Sequence, residues 1–167
     1  MQNVPVVAGD CGNTSDKLRV RQTIAFQETP MPFDARNDLP ETPALVLDES
    51  VVQANIDRLQ AHCDARGVRL RPHIKTHKIV EMAKRQLALG AEGLVCQKLT
   101  EAEVMLDAGC ENILISYPMI GMEKARRLAA IAGKAKFTVA ADSICAVDTL
   151  REAAEMSGAE IGVLVEF

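Results

Sequence analysis

The run Arg71-Pro72-His73-Ile74-Lys75-Thr76-His77-Lys78 holds the densest set of chemically capable side chains in the sequence. A lysine amine held partly neutral can form a Schiff base with an aldehyde cofactor. Neighbouring cations favour the neutral form, and Arg71, His73, His77 and Lys78 crowd Lys75. On spacing alone the same run also reads as a solvated basic turn. His73 and His77, four apart, would share one face of a helix and could hold a metal there. Pro72 and the strand-like approach argue for extended backbone instead, in which rings four residues apart stand about 13 Å from one another. We therefore expect no metal site in this segment, and read His62 as a partly exposed helix residue rather than a third ligand.

The surrounding pattern shows what positions that lysine. Residues 44–47 form a short apolar run. Asp48, Glu49 and Ser50 offer N-cap chemistry for a helix with apolar Val51, Val52, Ile56 and Leu59, closed by Gly67. A strand is expected over 68–74, running into the lysine loop. Helix 78–89 ends at Gly90. Strand 93–96 follows, then helix 101–107, for which Thr100 with Glu103 has the capping-box spacing. Strand 112–116, helix 121–132, strand 137–141, helix 143–156 and strand 161–167 complete the series. Strands recurring every 19 to 25 residues with a helix between each pair imply successive right-handed βα units and a parallel sheet. A doubly wound sheet and a (β/α)8 barrel both satisfy that rhythm. Lys75 then lies at the carboxyl end of a strand, where parallel α/β folds place their chemistry. No G-x-G-x-x-G or Walker-type loop occurs, which removes the main support for nucleotide binding.

Composition narrows the partners. The 167 residues carry a net charge of −4, offering no basic footprint for nucleic acid or an anionic membrane surface, and no apolar stretch long enough to span a bilayer. Five scattered cysteines, Cys11, Cys63, Cys96, Cys110 and Cys145, fit free thiols in a cytoplasmic protein better than disulfides or zinc. Residues 1–40 lack sustained periodicity and read as a flexible leader, with 41–167 as the folded part. The basic residues Lys17, Arg19 and Arg21 hint at organelle targeting, against which stand Asp10, Asp16 and the lack of an apolar core segment. Met31 could equally be a start.

The lysine run resembles the motif of the D-threonine aldolase and D-serine dehydratase family, fold type III pyridoxal-phosphate enzymes related to alanine racemase. Further segments match in order over residues 42–167. Thr42-Pro43-Ala44-Leu45-Val46-Leu47-Asp48 with Asn55 is similar to the opening strand and helix. Arg85-Gln86-Leu87-Ala88-Leu89-Gly90-Ala91 and Gly93-Leu94-Val95-Cys96-Gln97-Lys98, followed by Glu101-Ala102-Glu103, resemble the second barrel unit. Ile113-Leu114-Ile115-Ser116 and Gly162-Val163-Leu164-Val165-Glu166 fit later strands.

The resemblance implies an α/β protein, a (β/α)8 TIM-type barrel of which about five of eight strands fall in this sequence, with a carboxyl-terminal β domain outside it. Such a piece alone is expected to expose an open edge, aggregate and lack turnover. The resemblance implies pyridoxal 5'-phosphate on Lys75, with Gln97, His73 and His77 lining the cofactor site. Ser116, Tyr117 and Asp142 are further candidates at strand ends, Asp142 also reading as a helix N-cap and Gln97 as a loop amide capping Thr100. It further implies a D-amino acid substrate, a divalent metal with ligands elsewhere, and a homodimer. The activity implied is a lyase giving glycine and an aldehyde from D-3-hydroxy amino acids. Alternatives are a D-serine dehydratase-type deaminase, a racemase, or a non-catalytic pyridoxal-phosphate homeostasis protein. Ser116-Tyr117-Pro118 stands where related aldolases often have Ser-Asn-Glu, which leaves the subgroup open.

Overall fold

The computed structural model describes residues 3–5, 38, 41 and 43–167. The targeting and start-site readings, and nearly all of the expected leader, lie outside the described residues. The protein divides into two compact units between Leu59 and Gln60. In the first, strands β1 (Asn3–Pro5) and β2 (Val46–Asp48) pair antiparallel. Helix α1 (Glu49–Asp64) follows β2 at once, and Asp48 caps it as expected. Its Oδ1 accepts from Ser50 N at 2.9 Å, Ser50 Oγ at 2.7 Å and Val51 N at 3.2 Å.

The second unit carries the sheet. Its elements are α2 (Val80–Ala88), β3 (Leu94–Cys96), α3 (Leu99–Asp107), β4 (Asn112–Ile115), α4 (Met122–Ala132), β5 (Lys136–Ala141), α5 (Ile144–Ser157) and β6 (Ile161–Val165). All pairings in the sheet are parallel and the order is β3-β4-β5-β6. A doubly wound sheet must reverse direction at a switch point. This one advances one way only, the order of a barrel wall. With right-handed crossovers that advance puts every connecting helix on the same face.

Side chains alternate across the sheet. Leu94, Cys96, Ile113, Ile115, Phe137, Val139 and Ala141 turn to the helices and are all at most 2% exposed. They meet Ala102 and Met105 of α3, Ala125 and Leu128 of α4, and Ala146, Leu150 and Ala153 of α5 in one apolar cluster. The small alanines let the helices lie close to the sheet. The opposite row, Val95, Leu114, Thr138 and Gly162, is in register on the other face.

Three expectations are corrected here. Residues 68–74 do not form a continuous strand. Glu92 N donates to Leu70 O at 2.9 Å and Val95 N to Pro72 O at 2.8 Å, and His73 bridges Val95 in parallel, so the segment is an interrupted edge beside β3. Pro72 has no N–H to give, which prevents a full ladder. Thr100 does not cap α3: the N-cap is Lys98, without a side-chain cap bond, and Glu101 rather than Glu103 reaches back, accepting from Gln97 N at 2.7 Å. Glu103 instead holds Arg127 of α4 with both oxygens at 2.8 Å. Asp142 is not the N-cap of α5. Ser143 is, its Oγ accepting from Ala146 N at 3.3 Å.

Candidate active site

Lys75 sits in a single 3-10 turn, Ile74–Thr76, at the end of the interrupted edge segment. Ile74 is fully buried and anchors the turn, while Lys75 itself is exposed. The Ile74 carbonyl accepts from His77 N at 3.1 Å and Lys78 N at 2.8 Å, which closes the loop back on its start. Lys78 completes the closure with φ of 54°, a left-handed conformation that costs a non-glycine residue about 1–2 kcal/mol.

The two histidines bracket this turn, and each accepts a backbone N–H. Lys75 N donates to His73 Nδ1 at 3.2 Å, and Ile79 N donates to His77 Nδ1 at 3.0 Å. A nitrogen that accepts carries no proton, so each neutral ring bears its hydrogen on Nε2. For His73 that hydrogen faces Ser116 Oγ at 3.3 Å, beyond the end of β4. Ser116 N donates to Cys96 O at 3.0 Å. His73 therefore joins the lysine turn to the third sheet position, and Ser116 keeps its own hydroxyl proton available.

His77 Nε2 is buried without a hydrogen-bond partner, as is Gln86 Oε1 on α2. Burial lowers the imidazole from its usual 6.5, with the Gln86 side chain opposing. The unfolded chain then binds more protons than the folded one in mild acid. Stability is full above about 6.5, falls as pH drops from there toward the depressed folded value, and levels off below it. Urea midpoints of the full-length protein measured between pH 5 and 8 should show that decline, and His77→Gln should flatten it. A midpoint curve unchanged by the substitution would rule the account out.

Gln97 follows β3, is half-buried, and gives its backbone N–H to Glu101 rather than capping Thr100 with its amide. Glu101 is only 7% exposed and also meets Lys78 Nζ at 3.0 Å through Oε1. Burial alone would raise this carboxyl, but the Gln97 N–H and the Lys78 ammonium hold it below its ordinary value. Neither Glu101 nor the conformation of Lys78 was foreseen from the sequence. The available signal was a glutamate at the third position of a helix, a place that commonly reaches back to free amides.

These partners also correct the electrostatics expected around Lys75. Lys78 is paired with Glu101, Arg71 lies 3.8 Å from Glu92, and both histidines sit as acceptors of amides. The crowd of cations is largely answered by its own neighbours. Cys96, beside Gln97, is no nucleophile: burial, with Glu101 and Cys110 adding, pushes its thiol up to about 12.

Tyr117 is exposed and lines, with Gln97, Lys98, Lys124 and Arg127, a cleft of about 280 Å³. Asp142 is exposed beyond β5. Among the described residues no group of three His, Cys, Asp or Glu side chains is placed to hold a metal ion. No helix of the described residues is long and apolar enough to cross a membrane. The edge segment, β3, β4 and β5 thus deliver Lys75, Gln97, Ser116 and Asp142 in turn to their carboxyl ends. Lys75 is exposed at the first of these strand ends, and the His73 imidazole of its turn reaches the Ser116 hydroxyl at the third.

The family model for the alanine racemase N-terminal domain matches residues 47–167. A D-threonine aldolase from Arthrobacter sp. is 44% identical over 126 residues, covering 75% of this chain and 33% of the relative. The crystal structure of D-threonine aldolase from Filomicrobium marinum superposes with a TM-score of 0.73 at 46% identity, over 76% of this chain and 34% of that one. D-threo-3-hydroxyaspartate dehydratase from Delftia sp. HT23 gives a TM-score of 0.60 at 33% identity, over 71% and 31%. Another structure of that dehydratase is described as metal-free. The chain spans about a third of the length of the relatives it matches.

Proposed function

The chain belongs to the alanine racemase N-terminal domain family, and from that footing we propose that it carries the cofactor-anchoring part of a pyridoxal-phosphate-dependent lyase acting on D-3-hydroxy amino acids. Residues 41–167 are the amino-terminal part of its barrel. The observation that carries the reading is the exposed Lys75 on its closed turn, with Gln97 and Ser116 at the neighbouring strand ends. The relatives with this fold are aldolases and dehydratases, that is, lyases.

Lys75 would hold the cofactor through its amine, with His73, His77 and Gln97 lining the site. When bound, the cofactor's pyridinium ring supplies an electron sink for charge developing at the substrate's Cα. The donor set fits the aldehyde end of that group: one accessible amine, one neutral ring and uncharged polar neighbours. Lys75 Nζ, when free, would serve as the base that moves a proton at Cα. His73 keeps Ser116 Oγ as an acceptor on one side and leaves its hydroxyl proton to be donated to an oxygen of the ligand.

For a substrate with a β-hydroxyl, loss of that hydroxyl's proton with cleavage between Cα and Cβ yields glycine and an aldehyde. Loss of the Cα proton with departure of β-hydroxide yields an α-keto acid and ammonia. The dehydratase relatives favour the second outcome as the alternative reading. A divalent metal acting as a Lewis acid on the β-hydroxyl belongs to the same proposal, supported by the structure described as metal-free. So do a homodimeric full-length protein and a cytoplasmic setting. The setting is supported by the free thiols Cys63, Cys96, Cys110 and Cys145 among the described residues.

The test is a product assay on the full-length protein with pyridoxal phosphate and a divalent metal. D-threonine should give glycine and acetaldehyde, and L-threonine should give nothing. Ammonia and an α-keto acid from D-3-hydroxy amino acids would establish the dehydratase instead. D-threonine converted only to L-allo-threonine, its epimer at Cα, would refute both.

A further inference from the structure

We infer that Glu101 is a positioning residue for Lys75: its buried carboxylate fastens the turn that carries the lysine to the start of α3. The inference rests on the reading of Lys75 as the cofactor-bearing residue. One oxygen accepts from Gln97 N at 2.7 Å, and the other meets Lys78 Nζ at 3.0 Å. Gln97 and Lys78 belong to the two loops that bracket the proposed site, so a single group sets the spacing between them.

A glutamate serving only its own helix would need the first contact alone. It would gain nothing from being 93% buried, because taking a carboxylate out of water is costly unless it is paired. The second contact explains the burial. It also ties residue 78, whose left-handed backbone at φ 54° closes on the Ile74 carbonyl, to α3, three residues beyond Lys75. With Lys78 so held, the loop cannot swing outward, and the Lys78 charge is answered by Glu101 rather than presented beside the Lys75 amine.

Lys78 is more than half exposed, so the pair can be opened from either side. In the full-length protein, Glu101→Gln keeps the side-chain shape and an oxygen for Gln97 N but loses the charge. Lys78→Met removes the partner at a site that tolerates it. Each should raise the pyridoxal phosphate concentration at half-saturation about tenfold, which corresponds to about 1.4 kcal/mol of lost ion-pair attraction. The double variant should lose no more than either single one. Borohydride fixation followed by peptide mapping should mark Lys75 throughout, in a smaller fraction of molecules for the variants at fixed cofactor.

Half-saturation at the parent concentration in both single variants would overturn the inference. So would a double variant whose loss is the product of the two. If Glu101→Gln fails to fold, Lys78→Met carries the test alone, since its tenfold loss supports the clamp and its parent-like binding refutes it. Should borohydride mark a different lysine in the parent protein, the proposed function falls with the inference. If Lys75 is marked but the variants bind like the parent, the inference alone falls.

Discussion

Replacing Lys75 by alanine in the full-length protein is expected to abolish the borohydride-stable cofactor link and to reduce turnover of D-threonine by roughly 10³-fold, within the 10²–10⁴ range that one positioned proton-transfer group supplies. The fold should survive. Lys75 is exposed, its backbone N–H bond to His73 does not involve its side chain, and the turn is anchored by Ile74. The melting midpoint should therefore stay within a few degrees of the parent's. Lys75→Arg is the sharper control. It keeps a cation on the loop but cannot be deprotonated, so it should be as inactive as the alanine variant. Parent-like turnover in either variant would remove Lys75 from the mechanism.

The second large effect is on folding and involves Gly93. The pairing of Leu94 with Ile113 brings Gly93 level with Asn112 at the entry to β3 and β4. A Cβ at residue 93 would stand 2.1 Å from Asn112 O and 2.9 Å from both Asn112 C and Cβ. Two of those three atoms are backbone of a paired strand and cannot rotate away. Gly93→Ala must push β3 and β4 apart where the apolar layer begins, at a cost of about 3 kcal/mol, the upper end for overpacking a core. That is a large fraction of the roughly 5–15 kcal/mol that holds a typical domain together. Gly133→Ala is the matched control, since a Cβ there meets nothing within 4 Å. Urea unfolding with an unchanged slope should separate the two. A Gly93→Ala midpoint equal to the control's would show that the strands yield easily.

The parallel βα series was legible because apolar runs and glycine stops recur at a regular interval, and every helix from α2 to α5 falls within two residues of its expected limits. The rhythm left open a doubly wound sheet or a barrel wall. The strand order decides it, and order is a property of pairing that no single segment records. Residues 68–74 were misread because alternating apolar and basic residues look like a strand even where Pro72 breaks the ladder. Thr100 and Asp142 were plausible caps whose places were taken by neighbours one or two positions away, the usual margin at helix ends.

Within the site, Lys75, His73, His77 and Gln97 could be singled out from their types and from the run that holds them. What the residues around Lys75 do for one another was hidden. Four nearby cations suggested a shared field, whereas folding gives Lys78 to Glu101, 23 positions later in the sequence, and gives both imidazoles to local amides. Long-range partners of that kind leave no periodic trace.

The left-handed backbone at Lys78 also bears on the order in which the chain is made. Its N–H closes locally on Ile74, but the side chain that steadies it waits for Glu101. A nascent chain released only as far as α2 owns the lysine and its turn without the clamp. The loop takes its final form only after β3 and the first turn of α3 have emerged, so shape at residue 75 is acquired one βα unit behind synthesis.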